Sequence, residues 1–298
     1  MKRSLLSATV VLLAFAGAAL AAPTAPPQSP PDGPDLAVMA LGPADFPGAK
    51  VDAQKYIAVS PGTVAVYERD LTPSSGPLAY ISDEVDLYAK ATKAQSDAAG
   101  FKRLVSTRAG RKFVGAQFAK GLRPLKTNRV TVSTPAGISA GEFAFRFTIT
   151  AVTNKGTLRV GFAVVRVHRA VAYMFVVAKL GSRVAAGSLV SLVRMQETHF
   201  RGGFTIGTVT APTITGTATQ GQTLTADRGR WSGGPEQLTY QWKRCDALGA
   251  NCVDIAGATA ATYVITPADA GFTLGVRAQA TNPLSTLTAE SALTAVVT

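Results

Sequence analysis

Two histidines, two cysteines and eighteen carboxylates are what this 298-residue chain offers for catalysis or metal binding. His168 and His199 stand far apart, with no H-x-x-x-H spacing or carboxylate pattern around them, so no zinc motif forms. His168, between Arg166 and Arg169, reads as the end of a strand. His199 reads as the end of a helix, where a cation meets the negative end of the helix dipole. There is no G-x-S-x-G, and Ser74, Ser75, Ser188 and Ser191 have no neighbouring base by motif. Asp83, Glu84 and Asp86 gather acids but lack the ligand spacing of a calcium loop. Their expected place is the first turn of a helix, after Ser82 as its cap. Gly202-Gly203 reads as a linker rather than a phosphate loop. The expectation is therefore no catalytic residue, no metal ligand and no cofactor.

The unusual chemistry is positive charge. Between Asp97 and Glu142 no acid occurs, while Lys102, Arg103, Arg108, Arg111, Lys112, Lys120, Arg123, Lys126 and Arg129 all fall there. Nine cations without a nearby acid in sequence make a local field that suits an anionic polymer, a lipid surface or an acidic protein. The bland alternative is a solvated surface on a basic protein. Nucleic acid fits the charge, but the leader described next argues against it.

Met1-Lys2-Arg3, an apolar run from Leu5 to Leu20 and Ala19-Leu20-Ala21 form the basic, apolar and cleavage regions of a signal peptide, residues 1–21. The apolar run is short for a membrane span, which needs ~20 residues. Cleavage after Ala21 predicts an exported protein, secreted or associated with the cell envelope, with no span left. An exported compartment permits a disulfide between Cys245 and Cys252.

These residues need elements to hold them. Residues 22–35 are proline-rich and read as an extended spacer. Residues 36–200 form the first domain, 201–211 a linker and 212–298 the second. The first carries the charge: residues 22–205 hold 23 Lys and Arg against 12 Asp and Glu, whereas residues 206–298 hold 5 against 6. Val51–Val59, Val64–Leu71 and Leu78–Ile81 read as strands. A helix should follow from Ser82 to a stop at Gly100, with a second around Phe113, Ala116 and Gln117. Phe143, Phe145, Phe147, Ile149 and Ala151 alternate with Ala144, Arg146, Thr148 and Thr150, the period of a strand with one face on a core. Leu158–Val164 returns, and Ala170–Ala178 reads as a strand covered on both faces. Where Arg166 and His168 break the alternation, either a bulge flips the phase or both faces are covered. Ser182–Phe200 reads as a helix. The fold class is an α+β domain, an antiparallel sheet packed with helices, followed by an all-β sandwich. The order of elements in the first domain resembles PsbP-like domains of exported bacterial proteins, a likeness that carries no site.

The second domain reads as seven short strands: Thr213–Thr215, Gln222–Ala226, Leu238–Cys245, Cys252–Ile255, Thr262–Ile265, Thr273–Thr281 and Leu293–Val297. Pro212-x-Ile214-x-Gly216, Gly221-x-x-Leu224, Gly229-x-Trp231, Tyr240-Gln241-Trp242-x-Arg244-Cys245, Ile255-x-Gly257-Ala258-Thr259, Tyr263 and Asp269-x-Gly271 together resemble a bacterial immunoglobulin-like domain. That resemblance implies a β-sandwich of secreted and cell-surface proteins and is silent on ligand. In strand phase, Cys245 lies opposite Tyr240 and Trp242, so the disulfide should staple one hairpin on its outer face while Trp242 fills the core.

The function expected from these readings is an exported, non-enzymatic protein that binds or adheres at the bacterial cell envelope through its basic first domain. The alternatives are an enzyme that modifies an envelope polymer and a purely structural envelope component. The enzyme would need clustered acids or a His–carboxylate pair assembled by the fold.

Overall fold

The computed structural model describes residues 32–57, 59, 62–122 and 125–298. The expected signal peptide, most of the spacer and Arg123 lie outside them. The chain divides into two units, Leu36–Arg201 and Gly202–Thr298 taken with Pro31–Asp35. Among the described residues the structure is mostly antiparallel sheet, with four α-helices.

In the first unit a short helix, α1 (Leu36–Met39), precedes β1 (Lys50–Tyr56), β2 (Thr63–Thr72) and β3 (Leu78–Tyr88). Two helices follow, α2 (Ala91–Ser106) and α3 (Arg108–Gly121). Then come β4 (Thr127–Val132), β5 (Ala136–Gly137), β6 (Phe143–Thr153), β7 (Gly156–Val167), β8 (Ala170–Ala178) and α4 (Ala186–Gly203). The strands form one sheet in the order β1-β2-β3-β8-β7-β6-β4, with β5 paired to β6.

Helices cover both faces of that sheet, which explains its sequence pattern. On one face α2 and α3 bury Ala94, Ala98, Val105, Val114 and Phe118 against Phe145, Phe147, Phe162 and Phe175. Phe147 stacks on Phe162 with ring centroids 4.9 Å apart, and Phe162 meets Phe175 edge-on at 5.0 Å. On the other face α4 buries Leu189, Leu192, Val193 and Phe200. A Cβ at Gly161 of β7 would stand 2.8 Å from Leu189 Cδ2, so this close approach requires glycine.

The expected meander β6-β7-β8 and the helix near its end are present. β7 pairs with β6 and β8 with no shift of register, so the broken alternation at Arg166 reflects cover on both faces and not a bulge. Arg166 is buried, 2.6 Å from Glu142. Three expectations need correction. The expected helix start at Ser82 is instead the second half of β3, which runs to Tyr88 because β2 and β8 bond it on either side. Gly100 lies inside α2 rather than at its end. The final strand is Ser285–Glu290, not Leu293–Val297, whose residues reach the neighbouring strand only through separate bonds such as Thr294 N to the Leu274 carbonyl.

The second unit contains β9 (Gly207–Thr210), β10 (Thr213–Thr215), β11 (Thr223–Asp227), β12 (Arg230–Ser232), β13 (Gln237–Cys245), β14 (Val253–Asp254), β15 (Thr262–Val264), β16 (Thr273–Asn282) and β17 (Ser285–Glu290). Three sheets result: β10-β11-β15, β12-β9 and β14-β13-β16-β17. The first and third share a core of Leu224, Ala226, Trp242, Ile265, Leu274 and Val276. Trp242 is fully buried, stacks on Tyr263 at 5.5 Å and donates its indole N–H to the Ala260 carbonyl.

Candidate functional site

The nine cations of the acid-free segment fall on consecutive elements. Lys102 and Arg103 lie on α2, Arg108, Arg111, Lys112 and Lys120 on α3, Arg129 on β4, and Lys126 just before it. Arg123 lies outside the described residues. Thr107 separates the two helices and accepts from the Gly110 N–H at 2.9 Å, which starts α3. The apolar sides of both helices face the sheet, and this leaves the long basic side chains outward. Arg103, Arg108, Lys112, Lys120, Lys126 and Arg129 are exposed, while Lys102 and Arg111 are half-buried.

None of the eight described cations is in an ion pair. Two have structural work. Lys102 Nζ stands 5.2 Å from the centre of the Phe143 ring, a cation–π contact. Arg111 donates to the Val105 and Ser106 carbonyls at 3.1 and 2.7 Å and so satisfies the C-terminus of α2. The other six direct their charge at solvent.

A second concentration of charge is internal and negative. Glu84 pairs across the sheet with Glu68 on one side and Tyr173 on the other. Asp86 lies two residues on, on the same face, and its Oδ2 accepts from the Tyr88 hydroxyl at 3.4 Å. Lys55 Nζ is 3.8 Å from Glu68. Glu68, Glu84 and Asp86 are all buried. Burial, aided by Asp86 and Glu68, pushes the Glu84 carboxyl well above the usual range. Burial pushes Asp86 up to about 7. It also drives Tyr88 and Tyr173 far above the ordinary phenol value, with nearby acids such as Asp86 contributing to both. These acids were expected at a helix start. The sequence marks Glu68 only by its place directly after the apolar stretch Val64–Tyr67.

On the opposite face of β3, Asp83 is buried and Oδ2 accepts from the Leu41 N–H at 2.8 Å. Beside it, His199 of α4 has Nδ1 3.1 Å from the Val38 carbonyl and Nε2 2.9 Å from Asp45 Oδ1. The ring is thus held at both nitrogens by groups of its own chain. His168 occupies the β7–β8 turn with φ 53°, its N–H donating to Glu142.

Among the described residues, no group of three His, Cys, Asp or Glu side chains could hold a metal ion, and no helix is long and apolar enough to cross a membrane. Cys245 and Cys252 form a disulfide across the turn between β13 and β14. Cys252 is exposed and Cys245 is buried.

No family model matches the chain, and no curated protein matches it. A solved structure of titin domains A168–A170 aligns over 82% of this chain and 83% of its own length, at 9% identity and a TM-score of 0.22.

Proposed function

We propose that this chain is an exported, non-enzymatic protein that adheres to an anionic polymer of the bacterial cell envelope. The contact surface is the basic face of α2, α3 and β4. The second unit is an immunoglobulin-like module that serves as adhesion element or spacer. The observation that carries this reading is a set of six exposed cations with no ion pair among them. A merely solvated basic surface usually interleaves acids with its cations. Here the nearest acids in sequence are Asp97 and Glu142.

The internal acids do not favour the enzyme alternative. General acid–base catalysis needs a carboxyl within reach of a substrate, and Glu68, Glu84, Asp83 and Asp86 are all buried. His199 spends both ring nitrogens on its own chain.

The test compares the full mature chain with a variant carrying Arg103→Gln, Arg108→Gln, Lys112→Gln and Lys120→Gln. Arg111 is left in place because it holds the end of α2. Sedimentation with long-chain polyphosphate, a generic linear polyanion, at 0.01 M salt should show binding by the parent and little by the variant. A parallel arm with phosphatidylglycerol vesicles separates polymer from lipid. Binding to vesicles alone would replace the polymer by a membrane surface; equal polyphosphate binding by both chains would reject the proposal.

A further inference from the structure

β3 carries three acids in four residues at the middle of a sheet, with β2 and β8 bonded along it. Asp83 faces the α1 and α4 side, and Glu84 and Asp86 both face the other. Each keeps one buried oxygen without a hydrogen-bond partner: Asp83 Oδ1, Glu84 Oε2 and Asp86 Oδ1. Among the described residues none of the three is in an ion pair. An ionised carboxylate placed so has lost its water and gained no ion-pair partner, so the neutral carboxyl is the cheaper form.

The charged and titratable neighbours do not offset this. Facing Glu84 and Asp86 are Glu68 of β2 with Lys55 of β1 at 3.8 Å, Tyr88 of β3, Tyr173 of β8, and Asp97 of α2. Lys93 of α2 is paired with Asp97 at 2.5 Å. Arg169, at the β7–β8 turn, donates to the Tyr88 carbonyl, and Arg166 of β7 is paired with Glu142. Facing Asp83 are Arg69 of β2, His199 of α4 and Asp45 of the segment after α1. Arg69 directs its guanidinium N–H groups to the carbonyls of Ala37, Ala40 and Leu41 and not to Asp83, and His199 Nε2 lies 2.9 Å from Asp45 Oδ1.

We infer that β3 is held as a strand of neutral carboxylic acids, so that the first unit takes up protons as it folds and loosens as the pH rises. The electrostatics agree. Burial pushes Asp83 up to about 7 despite the Leu41 N–H, His199 and Arg69, and it pushes Asp86 to about 7 and Glu84 well above its ordinary value. A carboxyl raised in the folded state contributes its full stability below its unfolded value of ~4 and loses it as the pH climbs through the folded value near 7. Between those limits each such acid weakens the folding equilibrium about tenfold per pH unit. This inference stands apart from the adhesion reading and would survive its failure.

Both tryptophans, Trp231 and Trp242, lie in the second unit, so their fluorescence reports that unit. Amide exchange in β3 and β8 reports the first. With the full mature chain, exchange in β3 and β8 should quicken steeply from pH 5 to pH 8, after correction for intrinsic exchange, while the tryptophan transition moves little. Asp86→Asn should flatten that dependence and slow exchange at pH 8. Infrared absorption of protonated carboxyl should be present at pH 5.5 and fade by pH 8.5. This band needs no variant and decides the matter if Asp86→Asn fails to fold. Absence of the band at pH 5.5, or protection in β3 that rises with pH, would overturn the inference.

Discussion

Arg111 and Lys112 are neighbours of the same charge with different occupations. Arg111 closes the end of α2 through two carbonyls; Lys112 is exposed and bonds to nothing described. Arg111→Gln should therefore cost roughly 0.5–1.5 kcal/mol of stability, and Lys112→Gln should stay within about 0.5 kcal/mol. Urea unfolding followed by circular dichroism checks both. The disulfide makes a comparable residue-scale case. Cys245 and Cys252 close a short loop, worth about 2–3 kcal/mol in the chain-entropy model. Changing both to serine should lower the tryptophan-detected unfolding free energy by that amount yet keep the emission of a buried indole, because Trp242 shares a core with Leu224, Ile265 and Val276. Loss of the native emission would mean the bridge specifies the fold as well as stabilising it. The pairing was legible in the sequence because only two cysteines exist and a turn separates them. The burial of Cys245 was not, since strand alternation speaks of two faces and not of what lies against each.

At the scale of elements, legibility followed whether local pattern and tertiary environment agreed. The strand Phe143–Thr153 was legible because its aromatic alternation matches its burial. β3 was misread because Ser-Asp-Glu is a good local helix start, and nothing local reveals that β2 and β8 will pair on either side of it. Pairing across the sheet overrode the propensity. β4 was missed because half of its face is polar and exposed, as befits an edge strand. The α2–α3 corner was half legible. A glycine weakens a helix by propensity, yet Gly110 is what allows this one. A Cβ at Gly110 would stand 1.9 Å from the Leu104 carbonyl oxygen. Gly110→Ala should therefore separate the two helices at a cost of roughly 1–3 kcal/mol, visible as faster amide exchange at Val105 and Val114. Unchanged exchange there would show that the corner relaxes freely.

The molecule as a whole separates its charge along the chain. The formal net charge of +12 sits almost entirely before residue 206, and the acid-free run from residue 98 to 141 holds nine of its cations. That asymmetry was fully legible from composition. What composition could not tell is that the run folds into two helices and an edge strand whose apolar sides turn inward, which leaves six unpaired cations exposed. It also could not locate the buried acids, which look like ordinary surface charge when read in one dimension. The central claim is that those six cations form one polyanion-binding face. Its most direct measurement is the salt dependence of polyphosphate affinity for the parent chain and for the variant with Arg103, Arg108, Lys112 and Lys120 changed to Gln. Each cation that displaces a counterion adds to the slope of log affinity against log salt, roughly 0.7 for a flexible single-stranded polyanion. Loss of four should reduce the slope by about 3 and weaken low-salt binding by more than tenfold. An unchanged slope in the variant would contradict the account and leave the basic segment as solvated surface.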